Sequence, residues 1–132
     1  RVRSSAASDV YKRQAKKDYT KALADFNEAV RRFQSPASLT ARAWLLATCA
    51  DEKVRDGKQA VLDAKQACEL THWKHPGSLE AFAAACAATD DFDEAVRWQH
   101  WVVESLANAK QPVQDAWKRL DLYKDHKPCR GD

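Results

Sequence analysis

Methionine is absent from this chain of 132 residues, and glycine (3) and proline (4) are scarce. Because sheets need the turns that glycine and proline form, while alanine, leucine and glutamine favour helices, this composition predicts an all-α fold. No apolar run approaches the roughly 18 residues that a membrane span requires. Apolar residues nevertheless make up 45% of the chain and charged residues 31%, which is typical of a folded globular domain. The sequence therefore predicts one helical domain that does not enter a membrane.

The formal charge of +3 comes from the first 14 residues, which hold four basic side chains and one acidic side chain. The remaining 118 residues carry 18 basic and 18 acidic side chains, so we expect no nucleic-acid partner. Residues 1–14 resemble translated adapter sequence, and we interpret them as a non-native leader. Since the chain begins with arginine, we expect a fragment of a longer protein.

An internal repeat indicates how the helices are arranged. Segments that begin at Ala22, Ala60 and Ala95 lie 38 and 35 residues apart, close to the roughly 34-residue period of helical-hairpin repeats. Each segment places apolar or small residues four and then three positions apart, which puts them on one face of a helix. We expect the residues of these stripes to pack between helices, together with large and small residues of the helices that precede them. These packing residues are Ala22, Phe26, Ala29, Trp44, Ala47, Ala60, Ala64, Ala67, Phe82, Ala95 and Val102.

Helix boundaries agree with this period. Ser35 followed by Pro36 predicts the start of one helix, and the pair Asp90-Asp91 predicts the start of another. Residues 73–77 contain proline and glycine and predict a break between two hairpins, while the polar residues 50–57 form a loop that absorbs the extra length of one unit. After residue 110 a single amphipathic helix, with Trp117 and Leu120 on one side, is typical of the cap that closes a repeat array.

These positions resemble the tetratricopeptide repeat (TPR) family over residues 15–110, and the runs 43–49, 55–57, 67–71 and 91–96 are similar to bacterial arrays of that family. The resemblance implies antiparallel helical hairpins stacked as a short right-handed solenoid. Its units would be a partial one at 15–34, then 36–72 and 77–110, followed by a capping helix at 111–126 and a tail at 127–132. Such arrays are non-catalytic protein-interaction modules, often joined to other domains such as kinase-like ones, and a cytoplasmic location is favoured.

The concave groove of such a stack is lined by the first helix of each hairpin. The predicted groove residues, and hence the predicted contacts of a protein or peptide partner, are Arg42, Leu45, Cys49, Glu80 and Ala84. The lysines and asparagines with which some family members clamp a terminal carboxylate are absent from these positions, so we do not expect a receptor for chaperone tails.

The sequence contains only weak candidates for a metal site and for a catalytic nucleophile. Cys68, His72 and His75 have spacing compatible with zinc, but a fourth ligand is missing, and we predict no metal site and no cofactor. Cys49 or Cys86 beside a histidine could form a nucleophile, yet both lie in apolar helical stretches, where reduced cysteine behaves as a small hydrophobe. We therefore predict no catalytic residue.

Two questions stay open at this level. Trp98, Trp101 and Trp117 form either a packed seam against the last helix or an aromatic anchor for a partner. The chain as a whole is either a monomeric binding module or a structural spacer that associates weakly with itself through an uncapped N-terminal end.

Overall fold

The computed structural model describes the backbone of residues 5–130 and the side chains of residues 19–130. This part of the chain contains six helices and no strand, which confirms the all-α prediction. None of these helices is long and apolar enough to cross a membrane. The helices are α1 (Ser5–Arg32), α2 (Pro36–Thr48), α3 (Gly57–Leu70), α4 (Pro76–Ala88), α5 (Phe92–Asn108) and α6 (Gln114–Lys124).

Polar side chains fix the starts of the middle helices, as predicted at two positions. Ser35 caps α2 in a reciprocal capping box with Ser38, and Pro36 occupies the first turn. Asp91 caps α5 by accepting a hydrogen bond from the amide of Glu94. An unexpected cap occurs at α4, where Nδ1 of His75 accepts from the amide of Ser78 at 3.2 Å.

Four helices end in the same way although no glycine is present at their ends. After α3, α4, α5 and α6 the chain enters the left-handed region, and the next amide donates to a carbonyl five residues earlier, which is the Schellman pattern. For a residue other than glycine this conformation costs about 1 kcal/mol or more. The left-handed residues at these four ends are His72 (φ 57°) with Trp73 (φ 59°) after α3, Asp90 (φ 65°), Lys110 (φ 58°) and His126 (φ 58°).

Helix α4 forms the centre of the molecule. It contacts α2, α3 and α5. Its residues from Ala81 to Ala87, most of which are alanines, are all buried. The main core adds Leu120 and Tyr123 of α6, both fully buried. The predicted units 36–72 and 77–110 thus each contain two helices that pack on one another, α2 with α3 and α4 with α5.

Most of the predicted packing positions lie in the interior, but α1 differs. Ala29 is exposed, and the neighbouring Val30 is buried against Leu39 and Ala67 instead. The buried face of α1 therefore includes Val30 in place of the predicted Ala29, and the larger Val30 side chain removes more apolar surface from water than alanine does. Ala22, Phe26 and Trp44 are half-buried. The other positions are buried, namely Ala47, Ala60, Ala64, Ala67, Phe82, Ala95 and Val102.

Helix α1 runs through the predicted boundary between residues 14 and 15 without a break. Residues 1–4 of the predicted leader, and residues 131–132 of the predicted tail, lie outside the described residues. Helix α6 begins at Gln114 and ends at Lys124, within the predicted capping segment 111–126.

The left-handed helix ends predict a stabilising substitution. Lys110→Gly should raise the free energy of unfolding by about 0.5 to 1 kcal/mol, because glycine adopts a positive φ without steric cost. The measurement is urea unfolding followed by circular dichroism. The matched control is Lys118→Gly, an exposed lysine inside α6, which should lower the same free energy by about 1 kcal/mol. Equal destabilisation by both variants would contradict the assignment.

Candidate binding cleft

A cleft of about 620 Å³ opens between α1, α2, α4 and α6. Four helices contribute to its walls, so its shape depends on how the whole molecule packs. The lining residues are Tyr19 and Phe26 from α1, Thr40, Ala41, Trp44, Leu45 and Thr48 from α2 with Cys49 after it, Gly77 and Glu80 from α4, and Arg119 from α6.

The apolar wall of the cleft is built by α1 and α2. Phe26, Trp44 and Leu45 are all half-buried, so part of each side chain faces solvent. The guanidinium of Arg119 lies 4.9 Å from the centre of the Trp44 ring, a cation–π arrangement that joins α6 to α2. Aromatic side chains exposed in a concave surface are the type most enriched in binding hot spots.

The polar wall is built around Glu80. Its Oε2 accepts from Nη1 of Arg119 at 2.5 Å and from Nε2 of Gln99 at 3.1 Å. Burial opposes the charge of Arg119, but the attraction of Glu80 and their hydrogen bond together outweigh it and raise the pKa of Arg119. Gln99, fully buried, also donates to the carbonyl of Ala116 at 2.9 Å. One oxygen of the Glu80 carboxylate, Oε2, thus accepts from two donors inside the protein.

Two further hydroxyls of the cleft are also paired within the protein. The hydroxyl of Thr40 lies 3.0 Å from that of Ser78, which joins α2 to α4. The hydroxyl of Thr48 donates to the carbonyl of Trp44 at 2.7 Å. The surface offered to a ligand is consequently more apolar than the list of lining residues suggests.

The structure brings three of the five predicted groove residues together and separates two. Leu45, Cys49 and Glu80 line the cleft. Arg42 instead turns toward α3, while Ala84 is only 1% exposed and belongs to the core around α4. Neither of the last two lines this cleft, because Arg42 pairs with Asp63 of α3 and Ala84 is covered by residues of α2 and α3.

Arg42 forms hydrogen bonds with other residues of the protein. Its Nε and Nη2 donate to the two carboxylate oxygens of Asp63 at 2.6 and 2.7 Å, and Nη1 donates to Asn27 at 3.2 Å. Asp63 is 3% exposed and also accepts from Gln59. The hydrogen bond with Asp63 raises the pKa of Arg42 against the opposing effect of burial. This network fastens α2 to α3 and to α1.

Several lining residues were not predicted as groove residues. Trp44 and Phe26 were assigned to packing between helices, and they do both. The spacing of Ala41, Leu45 and Thr48 by four and three residues could have identified this face of α2. Nothing in the local sequence connects Arg119 with the cleft, because its place there depends on how α6 docks.

The predicted metal candidates do not converge. Cys68 is fully buried in the core, His75 caps α4, and His72 is exposed at the end of α3. Among residues 19–130 no group of three or more histidine, cysteine or acidic side chains is arranged to hold a metal ion.

All four cysteines are buried as free thiols. Desolvation is the main cause that raises the pKa of Cys68 and of Cys86 to about 12 in each case. Since the thiolate is the nucleophilic form, burial disfavours the reactive state of both side chains.

Trp98, Trp101 and Trp117, which were predicted either to pack or to anchor a partner, have different surroundings. Trp98 packs against Trp73 and Phe82 with ring centres 5.2 and 6.4 Å apart, and its Nε1 donates to Glu94. Trp101 is half-buried. Trp117 is 43% exposed on α6. The ring contacts of Trp98 are thus with α4 and the segment before it rather than with the last helix, while Trp117 faces away from the core.

Comparison with protein-family models, with curated proteins and with solved structures finds no match for this chain. The resemblance to TPR arrays consequently rests on the residues quoted above and stays a prediction.

The raised thiol pKa values predict slow chemical modification. At about pH 8 a thiol with a pKa near 12 forms roughly a thousandfold less thiolate than one at the ordinary value of 9.0, since each pKa unit is a factor of ten. Cys68 and Cys86 should therefore react with an aromatic disulfide reagent at least about a hundredfold more slowly in the native protein than in guanidinium chloride. Cys68→Ser and Cys86→Ser variants assign the two signals, and fast labelling of either native thiol would show that it is accessible and ionised.

Proposed function

We propose that this protein is a non-catalytic interaction module that binds a segment of another protein in the cleft between α1, α2, α4 and α6. The observation that supports this function best is the pairing of the cleft's polar groups. Glu80, Arg119, Thr40 and Thr48 all have partners within the protein, while Trp44 and Leu45 keep exposed apolar surface. A site for a polar small molecule needs convergent polar groups that are free to orient it. The cleft favours apolar side chains of a partner instead.

The helix arrangement supports a repeat architecture within the same proposal. Helix α4 contacts both helices of the preceding pair, α2 and α3, which is how one hairpin packs on the next in helical repeats. Helix α6 packs on α5 and presents Gln114, Asp115, Lys118 and Asp121 outward, as a capping helix does. We propose that these helices form a short TPR-type right-handed solenoid with α6 as its cap, and that the cleft is its concave groove.

Buried thiols fit this proposal as well. Four free cysteines without a disulfide suit a reducing compartment, so the cytoplasm is the proposed location. These thiols are buried, and Glu80, the one carboxylate among the cleft residues within 19–130, is held by Arg119 and Gln99, so the proposal includes no catalytic step.

The direct test selects ligands for the cleft and then changes its apolar wall. Peptides selected from a random phage-displayed library against the wild-type chain should bind Leu45→Glu at least about tenfold more weakly, which corresponds to about 1.4 kcal/mol. Leu45 lines the cleft, so a carboxylate there would have to be desolvated by the bound peptide. Binding is measured by fluorescence anisotropy.

The matched control is Leu62→Glu, which makes the same chemical change on α3 where the leucine is 62% exposed. It should leave the affinity unchanged, and thermal melts should show that both variants fold. Equal binding by Leu45→Glu and the wild type, or no peptide selected at all, would count against the cleft as the binding site.

A second candidate function is self-association, favoured by one apolar surface. Phe33 is 74% exposed, and Leu62 and Leu70 are 62% and 49% exposed on α3. The side chains of Gln34 and Gln66 are hydrogen-bonded at 2.7 Å, which places the end of α1 beside this part of α3. This surface lies at the α1 and α3 side of the molecule, whereas the predicted uncapped end involves residues of α1 whose side chains are not described.

Sedimentation velocity separates the two functions. A binding module should sediment as a monomer over a roughly hundredfold range of protein concentration, because association would be driven by mass action. A mass that rises with concentration in the wild type, and that returns to the monomer in Leu62→Glu but not in Leu45→Glu, would favour the spacer that assembles with itself.

A further inference from the structure

A depression of about 180 Å³ lies on α5, away from the cleft. Its lining residues are Trp101, Glu104, Ser105 and Asn108, and none of them lines the cleft between α1, α2, α4 and α6. Pockets for small molecules have volumes of about 300 to 1,000 Å³, so this depression has the size of a single side chain. It is a second candidate site that does not depend on the cleft.

The four lining residues share one face of α5, because three, four and seven positions separate them along the helix. The opposite face carries the residues of α5 that are buried, which are Ala95, Gln99, Val102 and Val103. A helix holds side chains in more precise relative positions than a loop does. The depression is therefore a fixed feature of the helix.

Trp101 forms the apolar side of the depression. It is half-buried and packs against the main core, which holds its ring in place. Within residues 19–130 the other four tryptophans each contact an aromatic ring or a cationic group, whereas no such contact involves Trp101. Part of the Trp101 ring is thus available to a cation, which is attracted to the face of an indole.

Glu104 gives the depression its charge. Its salt-bridge contact within residues 19–130 is with Nδ1 of His100 at 3.4 Å, and that contact is between charges only when the ring is protonated. Arg97, one turn before Trp101 on the same face, pairs with Glu94 instead. Helix α5 has three acidic residues against one arginine and no basic residue in its last turn, where the helix dipole is negative. The depression therefore favours a cation.

We propose that this depression binds the side chain of a lysine on a partner protein. An ammonium group has three N–H donors, and the site offers the Glu104 carboxylate, the Ser105 hydroxyl and the Asn108 amide oxygen as acceptors. The Trp101 ring covers the methylene stem of the lysine and attracts its charge. One carboxylate matches one positive charge, which favours a single lysine over a polyamine with several charges. This site goes beyond the function proposed for the cleft.

The test follows the indole N–H signal of Trp101 by NMR in the full isotope-labelled chain while a probe is added. The probes are Nα-acetyl-lysine methylamide, its Nε-trimethyl derivative and the norleucine compound, which lacks the ammonium group. The lysine compound should give saturable shifts with a dissociation constant in the millimolar range, as expected for one exposed contact. The trimethyl derivative keeps the charge but has no N–H donor, so it should bind at least about threefold more weakly. The norleucine compound should not saturate the signal.

Glu104→Gln should weaken binding of the lysine compound at least about threefold, because it removes the charge of the site. The matched control Glu69→Gln makes the same change at an exposed glutamate of α3 and should leave the affinity unchanged. The amide spectrum shows that both variants fold. Equal binding of the lysine and norleucine compounds, equal weakening by the two glutamate variants, or no saturable shift at all overturns the proposed lysine site.

The lysine site and the cleft are tested separately. Leu45→Glu, which changes the cleft, should leave binding of the lysine compound unchanged, and Glu104→Gln should leave the affinity of the selected cleft peptides unchanged. Loss of lysine binding in a folded Leu45→Glu variant overturns the assignment to α5. Failure to select any cleft peptide counts against the function proposed for the cleft and leaves the lysine site supported by its own saturable shifts.

Discussion

The close approach of neighbouring helices to α4 is the constraint on which the rest of the structure depends. Ala81, Ala83 and Ala85 are fully buried, and α2, α3 and α5 all contact this helix. Because alanine extends no further than its Cβ atom, helices can approach from several directions at once, whereas a larger side chain would cost about 1 to 3 kcal/mol in overpacking. A helix that is apolar all round has to be central, so the other helices take their positions around it.

Glu80 is the one charged residue of α4, and its surroundings explain the polar wall of the cleft. Glu80 lies between Gln99 of α5 and Arg119 of α6, and therefore links three helices. Removing one member of such a partly buried pair leaves an uncompensated charge, which costs more than the pair itself contributes. The same contacts place Arg119 over the Trp44 ring. The cleft is thus a consequence of how α6 is fastened to the centre.

The sequence predicts where helices begin better than it predicts which helix faces are buried and how the helices end. Helix starts at Ser35 and Asp91 follow from local capping chemistry, which needs no knowledge of the fold. The left-handed ends could not be predicted from glycine, because residues such as Asp90 occupy them. On α1 only the position of Ala29 is wrong, because alanine and valine next to each other give no periodic distinction. Arg119 lines the cleft through a contact 39 residues away in sequence with Glu80, and periodicity within one helix carries no such information.

Pairing within the protein gives Arg42 and Arg119 structural roles. Arg42 and Arg119 each face a carboxylate that is mostly buried, and in both cases the geometry fixes one helix against another. A partner that displaced either guanidinium would have to leave Asp63 or Glu80 as an unpaired charge, a cost of several kcal/mol. Both arginines therefore hold helices together, Arg42 between α2 and α3 and Arg119 between α6 and α4.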